Sequence, residues 1–380
     1  MTFDPEITFH VPGEPGPVLA GCRVWQMPLS GKTGSDESAP EWTVGEYLEA
    51  ARAFLLQEQG RLVSQAVSRL AGNRRPIHAM AVSLEKHGAF YHPLKITVAA
   101  GVDFVTLVLN GAVRDPGFTL IETEFRLLAR LAGQVVPCFI PRVLGAGTVV
   151  TKKGEVGFFL GQWFDGFHEF HLTRTVRGDR VAIWKDDGTH EPLPWHDAVK
   201  IYENIAYVLT AYYEVDTGHE IFPWHHAAGD FVTNTRAEVR LITVRGMGLL
   251  TEMPSEPSDM EVNRLFCLLF YFLNLTLCMR LDRLDGTGPF VWLPDMVVDA
   301  TVKGMCRSLA DRSAQRPRTE VSHGLPARFL EFIKKFGADQ LHDIMSHLLE
   351  ERHFNSVEAQ LARNHMAAHC QKIVQILART

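Results

Sequence analysis

The chain is expected to fold as an α+β protein in which a strand-rich half precedes a helix-rich half. Two observations carry this expectation. Residues 77–113 contain three short runs of β-branched and apolar residues divided by turn residues, whereas beyond residue 195 the apolar residues recur at helical spacing. The length of 380 residues favours two lobes over one compact unit, and 46% hydrophobic with 22% charged residues is the balance of a chain able to bury full cores.

Residues 1–42 are rich in Pro, Gly and Ser and read as an extended N-terminal arm. A helical segment follows over 43–76. Thr43 with Glu46 three residues on forms a capping-box pattern, and the periodic run TVGEYLEAARAFLLQEQGRLVSQAVSRLAG predicts one long helix or two, ending at Gly72. The strand-rich lobe is expected over 77–167. It begins with IHAMAVSLEKHG, YHPLKITVAAG and VDFVTLVLNGAV as an antiparallel meander turning near Gly88 and Gly101. TLIETEFRLLARLAG is then an amphipathic helix ending at Gly133, and AGTVVTKKG with EVGFFLGQWF forms a hairpin across Lys153-Gly154.

The helical lobe is expected over 168–380, with a small hairpin inserted near 174–194 that turns at Asp187-Gly188. PWHDAVKIYENIAYVLTAYYEVDTG is a strongly periodic helix, and two or three amphipathic helices are expected between about 326 and 378. The apolar run LFCLLFYFLNLTLCM, residues 265–279, is shorter than the roughly 20 residues of a membrane span and contains Asn274 and Thr276, so it is expected as part of a buried core helix over 261–281. RLDRLDGTGPFVW, residues 280–292, reads as a salt-bridged helix end before a turn.

Several function classes are excluded at this level. A net charge of −6 supplies no basic field for nucleic acid, and no membrane contact is expected. Cys22, Cys138, Cys267, Cys278, Cys306 and Cys370 contain no CxxC pair, and the N-terminus lacks a basic region followed by an apolar one, so a cytoplasmic location is expected. No GxSxG motif of a serine hydrolase is present. Trp163, Trp195 and Trp224 read as packing residues, and the histidines of the C-terminal region (His342, His347, His353, His365 and His369) follow no metal-ligand spacing.

The order of three strands, a glutamate-bearing helix, two strands, a junction and then helices resembles the protein-kinase-like two-lobed fold, with an antiparallel-sheet N-lobe and a mostly helical C-lobe. Its aminoglycoside phosphotransferase and choline kinase branch is the nearest in wording. The resemblance covers residues 77–245 and rests on Pro141-Arg142-Val143-Leu144 followed by Trp163-Phe164-Asp165-Gly166. Phosphoryl transfer in such a fold is largely positioning and charge neutralisation, so each required part implied by the family can be sought.

The implied nucleotide-binding set is Lys95, Asn110, Glu124 and Thr243. Glu124, or Glu122 in a slipped register, takes the place of the helix glutamate. Asn110 stands near the position of the phosphate-binding lysine, leaving Lys95 or Arg114 as substitutes, and His87 or His92 in the turn EKHGAFYHP as residues facing the cleft. The loop FPWHHAAGDFVTN, residues 222–234, corresponds to the catalytic loop, with Asp230 as base, Asn234 one residue short of the metal-binding position now held by Thr235, and His226 upstream. Thr243 or Val244 falls where the family places its magnesium-binding acid, and no Asp or Glu occurs from Val239 to Thr251.

The resemblance therefore implies a kinase-like scaffold with degenerate phosphotransfer motifs, binding a small-molecule ligand or protein partner in an inter-lobe cleft. An ATP- and Mg²⁺-dependent small-molecule phosphotransferase, moving phosphate to an alcohol, is the alternative. A third reading is a metal-dependent hydrolase built on His219, His225, His226 and Asp230, with His168 and His171 approaching from the junction.

Overall fold

The computed structural model describes residues 3–29, 41–73, 75–85, 91–176, 178–224, 226–250, 260–315, 324–351 and 356–379. The fold is α+β, as the sequence predicts, and its main sheet is largely antiparallel. The chain divides into two compact units, one formed by Met1–Gly133 with Pro141–Asp165 and the other by Gln134–Ile140 with Gly166–Thr380.

The first unit is a six-stranded sheet with a helix on each face. The strands are β1 (Glu6–His10), β2 (Ile77–Leu84), β3 (His92–Ala100), β4 (Asp103–Ala112), β5 (Val143–Thr151) and β6 (Gly154–Gln162), in spatial order β1-β2-β3-β4-β6-β5. Helix α1 (Val44–Ala71) covers one face and helix α2 (Gly117–Leu131) the other. Along β3, His92, Leu94, Ile96, Val98 and Ala100 are buried while Pro93, Lys95, Thr97 and Ala99 are half-buried, the period-two alternation of a strand whose core side faces α1. Phe158 of β6 packs on Tyr47 and Phe54 of α1, and the adjacent Phe159 points the opposite way to Phe125 of α2.

The capping box at Thr43 is formed: Glu46 N–H donates to the Thr43 hydroxyl at 3.2 Å, and Thr43 N–H donates to the Glu46 carboxylate at 2.8 Å. Lys153 Nζ, 2.7 Å from that carboxylate, ties the β5–β6 turn to the helix start. Gly72 ends the helix in the left-handed region at φ 75°. Between the two helical arms the backbone breaks at Gln57–Gly60, and the Phe3 ring fills the space where a Cβ of Gly60 would lie. Residues 6–10 are thus not a free arm. They pair in parallel with β2, and Phe9 packs edge-to-face on the buried Trp25.

The second unit joins helices to several short ladders. The junction leads into β7 (Glu169–Thr173), β8 (Arg180–Trp184) and β9 (His190–Pro192), so the expected hairpin is a three-stranded sheet whose first strand comes from the junction itself. Then come α3 (Trp195–Tyr212), β10 (Glu220–Ile221), the short turn α4 (Ala227–Asp230), β11 (Phe231–Thr233), β12 (Val239–Leu241) and β13 (Met247–Gly248). Strand β10 pairs with β13 and β11 with β12. Helix α5 (Met260–Cys278), the hairpin β14 (Leu281–Arg283) with β15 (Phe290–Trp292), and helices α6 (Met296–Gln315), α7 (Leu325–Ile333), α8 (Ala338–Glu351) and α9 (Ser356–Leu377) complete the unit.

By length and composition α5 is the one described helix that qualifies as a membrane span, and 56% of its apolar window is buried within the protein. Its Asn274 amide donates to the buried Glu220 carboxylate at 3.1 Å, which accounts for a polar residue inside an apolar helix. Residues 280–292 form a hairpin where a helix end is expected.

Helix α6, which the sequence-based expectation omits, packs closely on α3. A Cβ on Gly304 would stand 2.0 Å from the Glu203 carbonyl oxygen and 3.0 Å from Ala206 Cβ, so α3 and α6 approach each other at a point only glycine permits. Gly304→Ala is expected to destabilise the protein by about 3 kcal/mol, the upper end for overpacking, because the obstacle is backbone. Gly337→Ala, whose Cβ would meet nothing closer than 3.9 Å, should leave the urea midpoint unchanged.

Candidate functional site

The loop leading into β11 is shaped by two local devices. Gly229 adopts φ 99°, a conformation that favours glycine, and it turns the chain so that Asp230 ends α4 and enters β11. The His226 ring lies with Nδ1 2.6 Å from the Ala228 carbonyl oxygen. A carbonyl only accepts, so Nδ1 carries the proton and the ring braces the turn. Trp224 is buried beside this loop, as its packing role predicts.

Asp230 is 6% exposed, and its carboxylate accepts a hydrogen bond from Arg245 Nη1 at 2.8 Å. Its backbone carbonyl accepts from Ile242 N–H at 2.9 Å, extending the β11–β12 ladder by one bond. The candidate base is therefore held on both its side chain and its main chain. Arg245 is a residue that the sequence reading passes over. The segment RLITVRGMG shows that an acid is missing, but nothing in its spacing shows that a cation from it reaches Asp230.

Asn234 serves the β11–β12 turn. Its side-chain oxygen accepts from Arg236 and Glu238 N–H at 3.0 and 3.1 Å, and its amide nitrogen donates to the Glu238 carboxylate at 2.8 Å. This is an Asx-type brace, in which Asn is favoured because its side chain mimics a backbone turn. Thr235 is exposed in the same turn. Thr243 is half-buried and Val244 buried in the segment after β12.

In the first unit Lys95 and Asn110 share a face. Lys95 lies opposite Val108 and Asn110 opposite both Pro93 and Phe159, so all point away from α1 towards the side that carries α2. Lys95 Nζ stands 5.0 Å from the centre of the Trp163 ring, a cation–π contact on a central strand. Trp163 thus has a polar partner beyond its predicted packing role. Glu124 is 1% exposed on α2, whereas Glu122 is exposed and paired with Arg126. Arg114 lies half-buried beyond the end of β4. His92 departs from the expectation: its ring is buried against Tyr47 on the α1 face, and its carbonyl accepts from the Tyr47 hydroxyl. His87, Gly88 and His225 lie outside the described residues.

Three histidines of the third reading have separate partners, while the buried Nδ1 of His219 has no hydrogen-bond partner among the described residues. His168 Nδ1 is 3.0 Å from Asp186, His171 Nδ1 is 3.2 Å from the buried Asp282, and His226 faces Ala228. Among the described residues no group of three His, Cys, Asp or Glu side chains is arranged to hold a metal ion. Asp282 also accepts from Leu172 and Arg283 N–H, so the His171–Asp282 pair fastens β14 to β7.

Set beside known proteins, the chain matches no family model, and no curated protein is significantly similar to it.

Arg245→Met would leave a mostly buried carboxylate without its cation. It is expected to lower stability by about 2 kcal/mol in urea denaturation, and adding Asp230→Asn to that variant should recover most of the loss. A double variant no more stable than Arg245→Met would show that the pair is not a coupled unit.

Proposed function

We propose that the chain is a kinase-like protein with degenerate phosphotransfer motifs that serves as a non-catalytic scaffold binding a small-molecule ligand or a protein partner. The observation that carries this reading is the Asp230–Arg245 pair, with no carboxylate from residue 239 to residue 251. A base must be free to accept a proton from the substrate hydroxyl, and Mg²⁺ takes one or two carboxylates together with phosphate oxygens. Here one carboxylate is neutralised by a guanidinium, the second is replaced by Thr243 or Val244, and the Asn234 amide is engaged in its own turn. Charge neutralisation is thereby withdrawn where phosphoryl transfer depends on it most.

Support for the kinase-like frame comes from the element order over residues 77–162, three strands, α2 with a buried Glu124 and two strands, and from the common face of Lys95 and Asn110. The proposed location is the cytoplasm, consistent with six free cysteines. Neither nucleic acid nor a membrane is a proposed partner.

Calorimetric titration with ATP, with and without Mg²⁺, together with an assay for ADP release over a panel of alcohol acceptors, tests this proposal. The expected result is no magnesium-dependent ATP binding and no turnover. Magnesium-dependent binding with turnover would instead establish the phosphotransferase alternative, for which Lys95 or Arg114 is the candidate phosphate-binding cation.

A further inference from the structure

The contact between α9 and the β14–β15 hairpin concentrates cationic and titratable groups around one tryptophan. The His365 ring stacks on Trp292 with centroids 5.1 Å apart and an interplanar angle of 8°, and the His369 ring meets Trp292 edge-on at 5.7 Å. The Arg280 guanidinium lies 4.8 Å from the centre of the same ring. Arg280 is 4% exposed and His369 1% exposed.

The hydrogen bonds determine which form of His369 fits. Thr276 Oγ1 donates to the Leu273 carbonyl at 2.9 Å, so towards His369 Nε2, 3.2 Å away, it acts as acceptor. Nε2 therefore carries the proton and Nδ1 is bare. Among the described residues neither His369 Nδ1 nor Arg280 Nη1 has a hydrogen-bond partner. A second proton on His369 would thus create a buried cation beside a fixed one, with no acceptor to receive it.

The other charged groups around α9 do not relieve this. Arg280 spends Nη2 on Asp295 at 3.1 Å, and Lys372 of α9 pairs with Asp299 of α6 at 2.7 Å. Helix α8 meets α9 through Met345 on Cys370, while its own Asp343, His347 and Glu350 are exposed. Glu358, buried on α9 itself, lies about three turns from His369.

We propose that α9 is held to the β14–β15 hairpin by an acid-sensitive joint built from Trp292, Arg280, His365 and His369, and that acidification releases α9 as a unit. Burial first, and Arg280 second, hold His369 down to about 3 and also lower His365. Once released, both rings return to the ordinary histidine value of about 6.5. The released form therefore binds more protons between those values. The docked form is fully favoured above about pH 6.5, and each unit below it moves the equilibrium up to tenfold towards release for His369 alone.

Hydrogen exchange followed by mass spectrometry at pH 7.5 and 5.0, corrected for the intrinsic rate, reads this directly. Protection of α9 peptides relative to α3 peptides is expected to fall at least tenfold at the lower pH, and the fall should vanish in the His365→Gln/His369→Gln variant. Unchanged relative protection, a parallel loss in α3, or an equal fall in the variant would overturn the proposal. Should that variant not fold, NMR titration of the native chain decides. A His369 ring still neutral at pH 5.5 is expected, and an ordinary midpoint would refute the joint.

Discussion

A charge removed from water must find its counterpart inside the protein, and this requirement shapes the second unit more than any run of secondary structure. Its ladders β10–β13, β11–β12 and β14–β15 have two or three residues per strand, too few to be stable alone. Buried polar groups link them to neighbouring elements. Glu220 of β10 meets Asn274 of α5, Asp230 meets Arg245, Asp282 of β14 receives His171 and the β7 backbone, and Arg280 reaches Asp295 and the Leu293 carbonyl. The links to Asn274 and His171 join residues distant in sequence and the others span single turns, so the short strands are positioned by buried polar contacts as well as by their own hydrogen bonds.

That dependence explains why the chemistry of the candidate loop is hard to separate from its architecture. The same carboxylate that a phosphotransferase would use as base is the anchor for Arg245, and the amide that would reach a metal holds the β11–β12 turn. An Arg in this role differs from Mg²⁺ in kind. It neutralises charge, but its planar donors direct hydrogen bonds and leave no open coordination sites for phosphate oxygens and water.

Legibility from sequence followed the range of the interaction. The capping box and C-terminal glycine of α1, the β2–β4 meander and the apolar α5 are local patterns, and the structure contains them where they are expected. What depended on distant partners was not visible. Strand β1 finds its ladder on β2, some seventy residues away, and the glycine at position 304 is required by the Glu203 carbonyl of α3. In the candidate site the Gly-Asp step of the loop was legible because Gly229 has a local conformational reason, whereas Arg245 was not, since an ion pair across a turn leaves no periodic trace. Asn234 shows the limit of residue type as a guide: an Asx brace and a metal-binding amide call for the same side chain.

The two units differ in how freely their polar residues can change. In the first, stability resides on the α1 face of the sheet, where Leu94, Ile96, Val98, Leu107 and Leu109 are buried together with Phe54 and Phe158. Lys95 and Asn110 project from the other side of the same strands, so exchanging a lysine for an amide there leaves that core intact. In the second unit the groups at the candidate loop are themselves structural. An acid at Thr243 would place another carboxylate beside Ile242, whose N–H bonds the Asp230 carbonyl, near an anion already paired with Arg245, and removing Asp230 would take that ion pair from the half-buried Arg245. Changes at Lys95 and Asn110 are thus less coupled to the buried core than changes at the candidate loop, which must be matched by a partner. Under the proposed kinase-like reading, the Asp230–Arg245 pair, and not the amide at position 110, is on this physical ground the firmer barrier to phosphoryl transfer.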